Sequence, residues 1–207
     1  MDKTCKNANV QNNKISLQAA GGEHLMVKPR FLLHVCCANC LLYPAAALSK
    51  DFQVYFYFYN PNIHPAHEYI KRLKYVRLVS GIYKTPLIAG RYEKKMWLDR
   101  TGTLKSEPEG GLRCELCFKI RLKKTAKAAK KLGFDLFGTT LTISPHKNQA
   151  VINSAGITIS KEENIEFYVA DFKKKDGFKK TIQLSNEHKI YRQSYCGCVY
   201  SMTKSRD

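Results

Sequence analysis

Short apolar runs alternate with longer amphipathic stretches along most of this chain. Phe31-Leu-Leu-His-Val35 is an apolar run of strand length, followed by Cys36-Cys37-Ala38-Asn39-Cys40 and then Leu41 to Lys50, whose Ala45-Ala46-Ala47-Leu48 favours helix. The pattern predicts strand, tight turn and helix. Gln53 to Tyr59 is a second strand, aromatic and β-branched, and Asn60-Pro61-Asn62-Ile63-His64-Pro65 ends it in a loop. His67 to Ser80 places Tyr69/Ile70, Leu73, Val76 and Val79 at helical spacing and stops at Gly81. A weaker strand at Leu87 to Ala89 and a helix over Arg91 to Arg100 come next, then a Gly/Pro/Ser-rich loop from Thr101 to Leu112. Arg113 to Lys131 is strongly amphipathic, and Phe134 to Thr140 is another strand. A helix is expected from about Pro145 through Ser154, a last strand at Glu166 to Ala170 and a last helix at Gly177 to Glu187. A cysteine-rich tail, Tyr191 to Ser201, follows.

Strands that alternate with helices imply right-handed crossovers, hence a mainly parallel, Rossmann-like α/β sheet with flanking helices in a single domain. The loops leaving the carboxyl ends of such strands gather at one edge, where ligands bind. Cys36-Cys37, the Asn60 to Pro65 loop and the Thr140 to Lys147 loop should therefore converge. Residues 1–28 carry no such periodicity, and we read them as a polar, flexible extension before a catalytic domain at 29–207.

Charge narrows the partners. The 207 residues hold 35 Lys+Arg against 17 Asp+Glu, a formal net charge of +18, which asks for a polyanion. At 44% hydrophobic residues the chain can bury a core, and no apolar run reaches the ~18 residues of a membrane span, so the expectation is a cytoplasmic protein without membrane contact. The lysine face of residues 123, 124, 127, 130 and 131 is either a solvated helix face or a nucleic-acid stripe.

Chemistry is concentrated in eight cysteines, clustered rather than spread as in a disulfide framework. Cys5 sits alone in the extension and reads as a spectator. Cys114-x-x-Cys117 at a helix start puts two sulfurs one turn apart on one face, near N–H groups that favour thiolate. With Cys36-Cys37 it supplies four thiolates, the count of a [4Fe–4S] cluster or a tetrahedral zinc site. The divergent side chains of adjacent cysteines favour the cluster. Cys196-Gly197-Cys198 would suit a strained, labile disulfide that passes electrons, two unconnected thiols, or a second metal. His34, inside a strand, reads as a hydrogen-bonded core residue. Asp171 is a proton donor if buried near the site, or a turn cap. Lys147, with a helix starting at Pro145, would suit a phosphate. The turn after the first strand lacks the Gly and Ser of a nucleotide loop, which disfavours ATP chemistry.

Taken together, six segments resemble the QueH family of epoxyqueuosine reductases. They are His34-Val-Cys36-Cys37-Ala-Asn-Cys40; Tyr59-Asn-Pro-Asn-Ile-His64-Pro65 with Glu68-Tyr69 and Arg72; Arg113-Cys114-Glu-Leu-Cys117-Phe118 with Arg121-Leu122; Thr139-Thr140-Leu141 with Ser144-Pro145 and Lys147; Asp171-Phe172-Lys173; and Tyr191-Arg192-Gln193-Ser-Tyr195-Cys196-Gly197-Cys198-Val-Tyr200-Ser201. Asn39 stands where the family often has proline. The resemblance implies a [4Fe–4S] cluster on Cys36, Cys37, Cys114 and Cys117, with Cys196 and Cys198 as a redox-active pair. It further implies removal of the epoxide oxygen of epoxyqueuosine in a tRNA anticodon loop, the last step of queuosine biosynthesis, with electrons from an unidentified donor. Tyr59, Asn60, His64, Lys147 and Arg192 become candidate substrate contacts, and Asp171 the candidate acid. An iron acting as Lewis acid would need an open cluster corner or an additional mononuclear iron, for which Cys36, Cys196 or Cys198 are candidate ligands. The competing readings are a non-catalytic zinc-binding RNA module and a cluster-dependent tRNA sulfur-transfer enzyme.

Overall fold

A computed structural model describes residues 27–202; Cys5 and nearly all of the extension lie outside them. Five strands form one parallel sheet: β1 (Arg30–His34), β2 (Gln53–Phe58), β3 (Leu87–Ala89), β4 (Leu136–Thr139) and β5 (Glu166–Phe167), in the order β3-β2-β1-β4-β5. Six α-helices connect or cover them: α1 (Ala38–Leu48), α2 (Ala66–Ile82), α3 (Lys94–Thr101), α4 (Leu112–Lys131), α5 (Gln149–Glu163) and α6 (Gly177–Glu187). The strand order reverses direction at β1, between β2 and β4, so a crevice opens there beyond the strands' carboxyl ends.

Burial follows from the sheet's two covered faces. Phe31, Leu32, Leu33 and His34 are all fully buried, as befits the central strand of a parallel sheet. Phe31 and Leu33 join a core with α1 and α2, while Leu32 joins the opposite core with Trp97, α4 and α5. Gly138 is required where β4 passes the Phe31 ring, because a Cβ there would lie 2.6 Å from it. His34 is in register with Tyr57 of β2 and Thr139 of β4, so the segments after these strands start side by side.

Several boundaries depart from the periodicity. The first helix begins at Ala38, which puts Cys40 inside its first turn. The helix expected at Pro145 begins instead at Gln149, because the Asn148 side chain caps it by accepting the N–H groups of Ala150 (2.9 Å) and Val151 (3.4 Å). Before it, Thr140–Ile143 is a 3₁₀ turn opened by Thr139 Oγ1, which accepts the Leu141 N–H. The last strand shrinks to two residues. The 101–112 loop is held rather than loose: Arg113 donates to the carbonyls of Leu104 (3.1 Å), Lys105 (2.9 Å) and Glu107.

Candidate functional site

A cavity of about 280 Å³ opens at the sheet's carboxyl edge. The three loops expected to converge do so: Cys36 and Cys37, Asn62 and Ile63, and Leu141 with Ile143 through Lys147 all border it. Two more walls complete it, and only the first of them was not foreseen. Phe178, Thr181 and Ile182 of α6 form one, and Arg192 through Cys196 of the tail form the other. Four cationic side chains, Arg72, Arg121, Lys147 and Arg192, line the cavity together with four thiols, Cys36, Cys37, Cys40 and Cys196, and no carboxylate. A smaller recess of about 30 Å³ shares His146, Lys147 and Cys196 with it and is bordered by Cys114.

The thiols are organised by β1 and α1. The sulfurs of Cys36, Cys37 and Cys40 all lie within 4.8 Å of one another, a group that could hold a metal ion. The helix produces it, since Cys40 sits one turn after the two residues that precede α1. This tight group lies at residues 36–40, not in the C-terminal tail where the cysteine-rich feature was expected. Thr140 pins Cys36 by accepting its backbone N–H at 3.2 Å and donating its hydroxyl to the sulfur at 3.4 Å. Gln193 of the tail donates to Cys37 Sγ at 3.0 Å. Hydrogen bonds from Cys37 and Cys40 hold Cys36 well below the usual thiol range despite its burial, with Lys147 and Arg121 helping. Cys37 is correspondingly pushed up to about 11, by the bond it gives Cys36 and by burial.

Cys117 and Cys198 are buried in the same core cluster as Cys36 and Cys37, and Cys114 accepts the Gly110 N–H at 3.2 Å. Burial raises the thiols of Cys114 and Cys117, and brings Cys198 to about 12. The disulfide expected between Cys196 and Cys198 is not formed; both are free thiols. Gly197 between them, at φ +107°, turns Cys196 toward the cavity and leaves Cys198 in the core. Lys147 borders both spaces, and although burial opposes its charge, Cys196, Cys36 and Cys40 outweigh that and raise its pKa.

The tail is latched in place by a buried ion pair. Arg72 Nε donates to Glu68 Oε1 at 2.7 Å, with the two side chains only 3% and 7% exposed. The remaining guanidinium nitrogens donate to Cys196 O (3.0 Å) and Tyr195 O (3.2 Å). The Tyr191 hydroxyl donates to Glu68 (3.2 Å), the His64 N–H to Gly197 O (2.7 Å), and the Tyr195 hydroxyl to His64 O. Asn39 adds a third fastening: its amide donates to Tyr191 O at 2.7 Å and its carbonyl oxygen accepts from Ser185 of α6.

The remaining sequence candidates divide. Lys147 and Arg192 face the cavity. Asn60 does not border it; its amide donates to Val35 O (2.9 Å) and its oxygen accepts from Arg121 (2.6 Å), so it ties β1's exit to α4. His64 offers the tail its backbone, while its ring packs on Trp97 at 5.4 Å. Tyr59, also off the cavity, donates to Glu93 Oε2 at 2.7 Å. His34 is the buried core histidine expected: the Thr139 hydroxyl lies 2.8 Å from Nδ1 and Tyr59 O is 3.2 Å from Nε2. Burial, with the nearby Arg121 charge, lowers it to about 3 and keeps it neutral. Asp171 Oδ1 accepts the Lys173 N–H at 3.2 Å in a turn-capping role, outside the cavity wall. The α4 lysine stripe is largely paired: Lys123 with Glu162 and Glu163, Lys124 with Glu93, Lys127 with Glu163, while Lys130 donates to Glu163 O.

Among the described residues no helix is long and apolar enough to cross a membrane. A family model described as "Epoxyqueuosine reductase QueH" matches residues 31–204. Curated proteins named epoxyqueuosine reductase QueH are 40% identical in Staphylococcus epidermidis (86% of this chain, 78% of that one) and 38% identical in Thermotoga maritima (85% and 92%). A third, from Streptococcus pyogenes, is 40% identical over 84% of this chain and 71% of its own. Among solved structures, a predicted subunit of tRNA methyltransferase from Methanocaldococcus jannaschii superposes with a TM-score of 0.51 at 12% identity, covering 76% of this chain and 75% of that one; it is a likeness of fold.

Proposed function

Because the chain belongs to the epoxyqueuosine reductase QueH family, we propose that it removes the epoxide oxygen of epoxyqueuosine in a tRNA anticodon loop, completing queuosine. The observation that carries this reading is the cavity itself, which combines four thiols with four cationic side chains and no carboxylate. Thiols supply reducing equivalents, and of the cations Lys147 and Arg192 are the ones left to receive phosphates beside an extruded base, since Arg72 and Arg121 are engaged within the fold.

A family-implied [4Fe–4S] cluster fits the donor set, since soft sulfur ligands are what such clusters take and three of the four cysteines are buried, with Cys114 half-buried. Cys36, Cys37, Cys114 and Cys117 would hold it, and when bound it would pass electrons singly. Cys40 remains beside the first pair as a ligand for an additional mononuclear iron. Turning an epoxide into an alkene and water consumes two electrons and two protons. Oxidation of the Cys196 and Cys198 thiols to a disulfide releases that number of each, so the free pair balances one turnover, and an external donor must then reduce it. Lys147, charged beside Cys196, would counter negative charge on the leaving oxygen. Asp171, outside the cavity wall, would have to move or act through water to serve as the acid.

The test is iron, sulfide and zinc analysis on protein purified without oxygen, followed by single-turnover assay on epoxyqueuosine-tRNA. About four irons and four sulfides per chain are expected, lost in Cys36→Ser, Cys37→Ser, Cys114→Ser and Cys117→Ser and retained in Cys40→Ser. Colourless protein with one zinc and no turnover after reconstitution would overturn the reading. Undiminished turnover in Asp171→Asn would remove that residue.

A further inference from the structure

The α6 wall of the cavity carries a feature that packing does not explain. α6 meets α1 through small residues: a Cβ at Gly177 would lie 1.8 Å from Phe172 O and 2.7 Å from the Tyr43 ring, and Gly177, Thr181 and Ser185 are the buried positions. Phe178 is not among them. It is 36% exposed and borders the cavity, presenting an aromatic ring where water has access. Around it, residues 171–180 hold five lysines (173, 174, 175, 179 and 180) against Asp171 and Asp176. None of the five makes an ion pair among the described residues, in contrast with the α4 lysines. Lys173 reaches back to Lys147 O at 3.3 Å, joining this segment to the cavity loop, and exposed Arg192 borders the cavity with no ion pair among the described residues.

A lone exposed ring within unpaired positive charge is too small for an apolar protein interface. It matches the way single-stranded nucleic acid is held, with a base on an aromatic face and its phosphates on flanking cations. We infer that Phe178 is a stacking platform for an unpaired nucleotide next to the one that enters the cavity, with Lys174, Lys175 and Lys179 binding the backbone. The inference rests on the tRNA reading above and adds the surface by which the loop is gripped. A duplex, whose bases are already stacked, would gain only the charge.

The experiment is fluorescence anisotropy on the intact, anaerobically purified protein with a 17-nucleotide anticodon stem-loop RNA and a blunt RNA duplex of equal length. Phe178→Ala should weaken stem-loop binding about tenfold, within the range of one base-aromatic stack, and leave duplex binding unchanged. Phe178→Trp should restore it. The triple Lys174/Lys175/Lys179→Gln variant should weaken both RNAs and flatten the salt dependence. Stem-loop binding by Phe178→Ala equal to wild type, or an equal loss for the duplex, would overturn the platform. Turnover of epoxyqueuosine-tRNA measured alongside separates the two failures: wild-type turnover with Phe178-independent binding sinks the platform alone, and absent turnover with Phe178-dependent binding sinks the reductase reading alone.

Discussion

Replacing Arg72 with Met should unlatch the tail before it unfolds the domain. The substitution removes the donors to Tyr195 O and Cys196 O and leaves Glu68 buried with only the Tyr191 hydroxyl. Two hydrogen bonds from a charged donor contribute about 1.5–3 kcal/mol each, so closure of the tail loses about 3–6 kcal/mol. At about 1.4 kcal/mol per decade, even the lower figure opens the tail roughly a hundredfold more often. Cys198, 7% exposed, is the reporter, because alkylation requires that opening. Its rate with iodoacetamide, followed by mass spectrometry, should rise about a hundredfold in Arg72→Met, the factor set by those lost bonds. Arg72→Lys, which keeps the charge but not the two-pronged geometry, should fall between. Urea unfolding should show a separate loss of about 3–5 kcal/mol for a buried charge left unpaired. The double variant Glu68→Leu/Arg72→Met should recover much of that global loss while Cys198 stays fast. If Cys198 in folded Arg72→Met reacts at the wild-type rate, the ion pair is not what holds the tail.

Two further outcomes follow from packing and protonation. Gly177→Ala should cost about 1–3 kcal/mol or more in thermal unfolding, because the added methyl meets backbone and α6 must lift from α1; Gly81→Ala, with nothing within 4 Å, should be neutral or slightly stabilising. His64 is lowered to about 4, by burial first and by Lys94 second. Its neutral form is favoured in the fold, so the unfolded chain binds its proton first and stability should fall as pH drops from about 6.5 through about 4. Buried His34, lowered to about 3, contributes a limb of the same sign, so His64→Asn should make the fall of the urea midpoint with acid shallower without abolishing it; an unchanged slope would exclude His64 as a source.

The strands and the sheet edge could be read from the chain because they are local: β2, β3 and α6 appear at or near their expected bounds, and the convergence of three loops follows from parallel topology alone. Non-local partners were out of reach. Pro145 looks like a helix start, since proline favours that position, yet the Asn148 cap decides it. The α4 lysines read as a stripe until α5 and Glu93 neutralise them across space. Glu68 and Arg72 stood four apart in a motif, but nothing local says that the pair is buried or that its free nitrogens face another segment. Cys40 was the readable omission, since C-C-x-x-C places three sulfurs within one helical turn. α6 as a cavity wall had no signal beyond an apolar residue among lysines.

The tail that closes the cavity has a bearing on the order of assembly. Every other wall comes from residues 36–182, so a growing chain can pair β1 to β4 and form the Cys36/Cys37/Cys40 group and Cys114-x-x-Cys117 before residues 192–196 reach the fold. During that interval the thiols face an open trough, and once Arg72 grips the tail they lie behind it. Any ligand of those thiols that arrived during synthesis would thus meet a wider doorway than the finished protein offers, where the cavity mouth beside the closed tail is the way in.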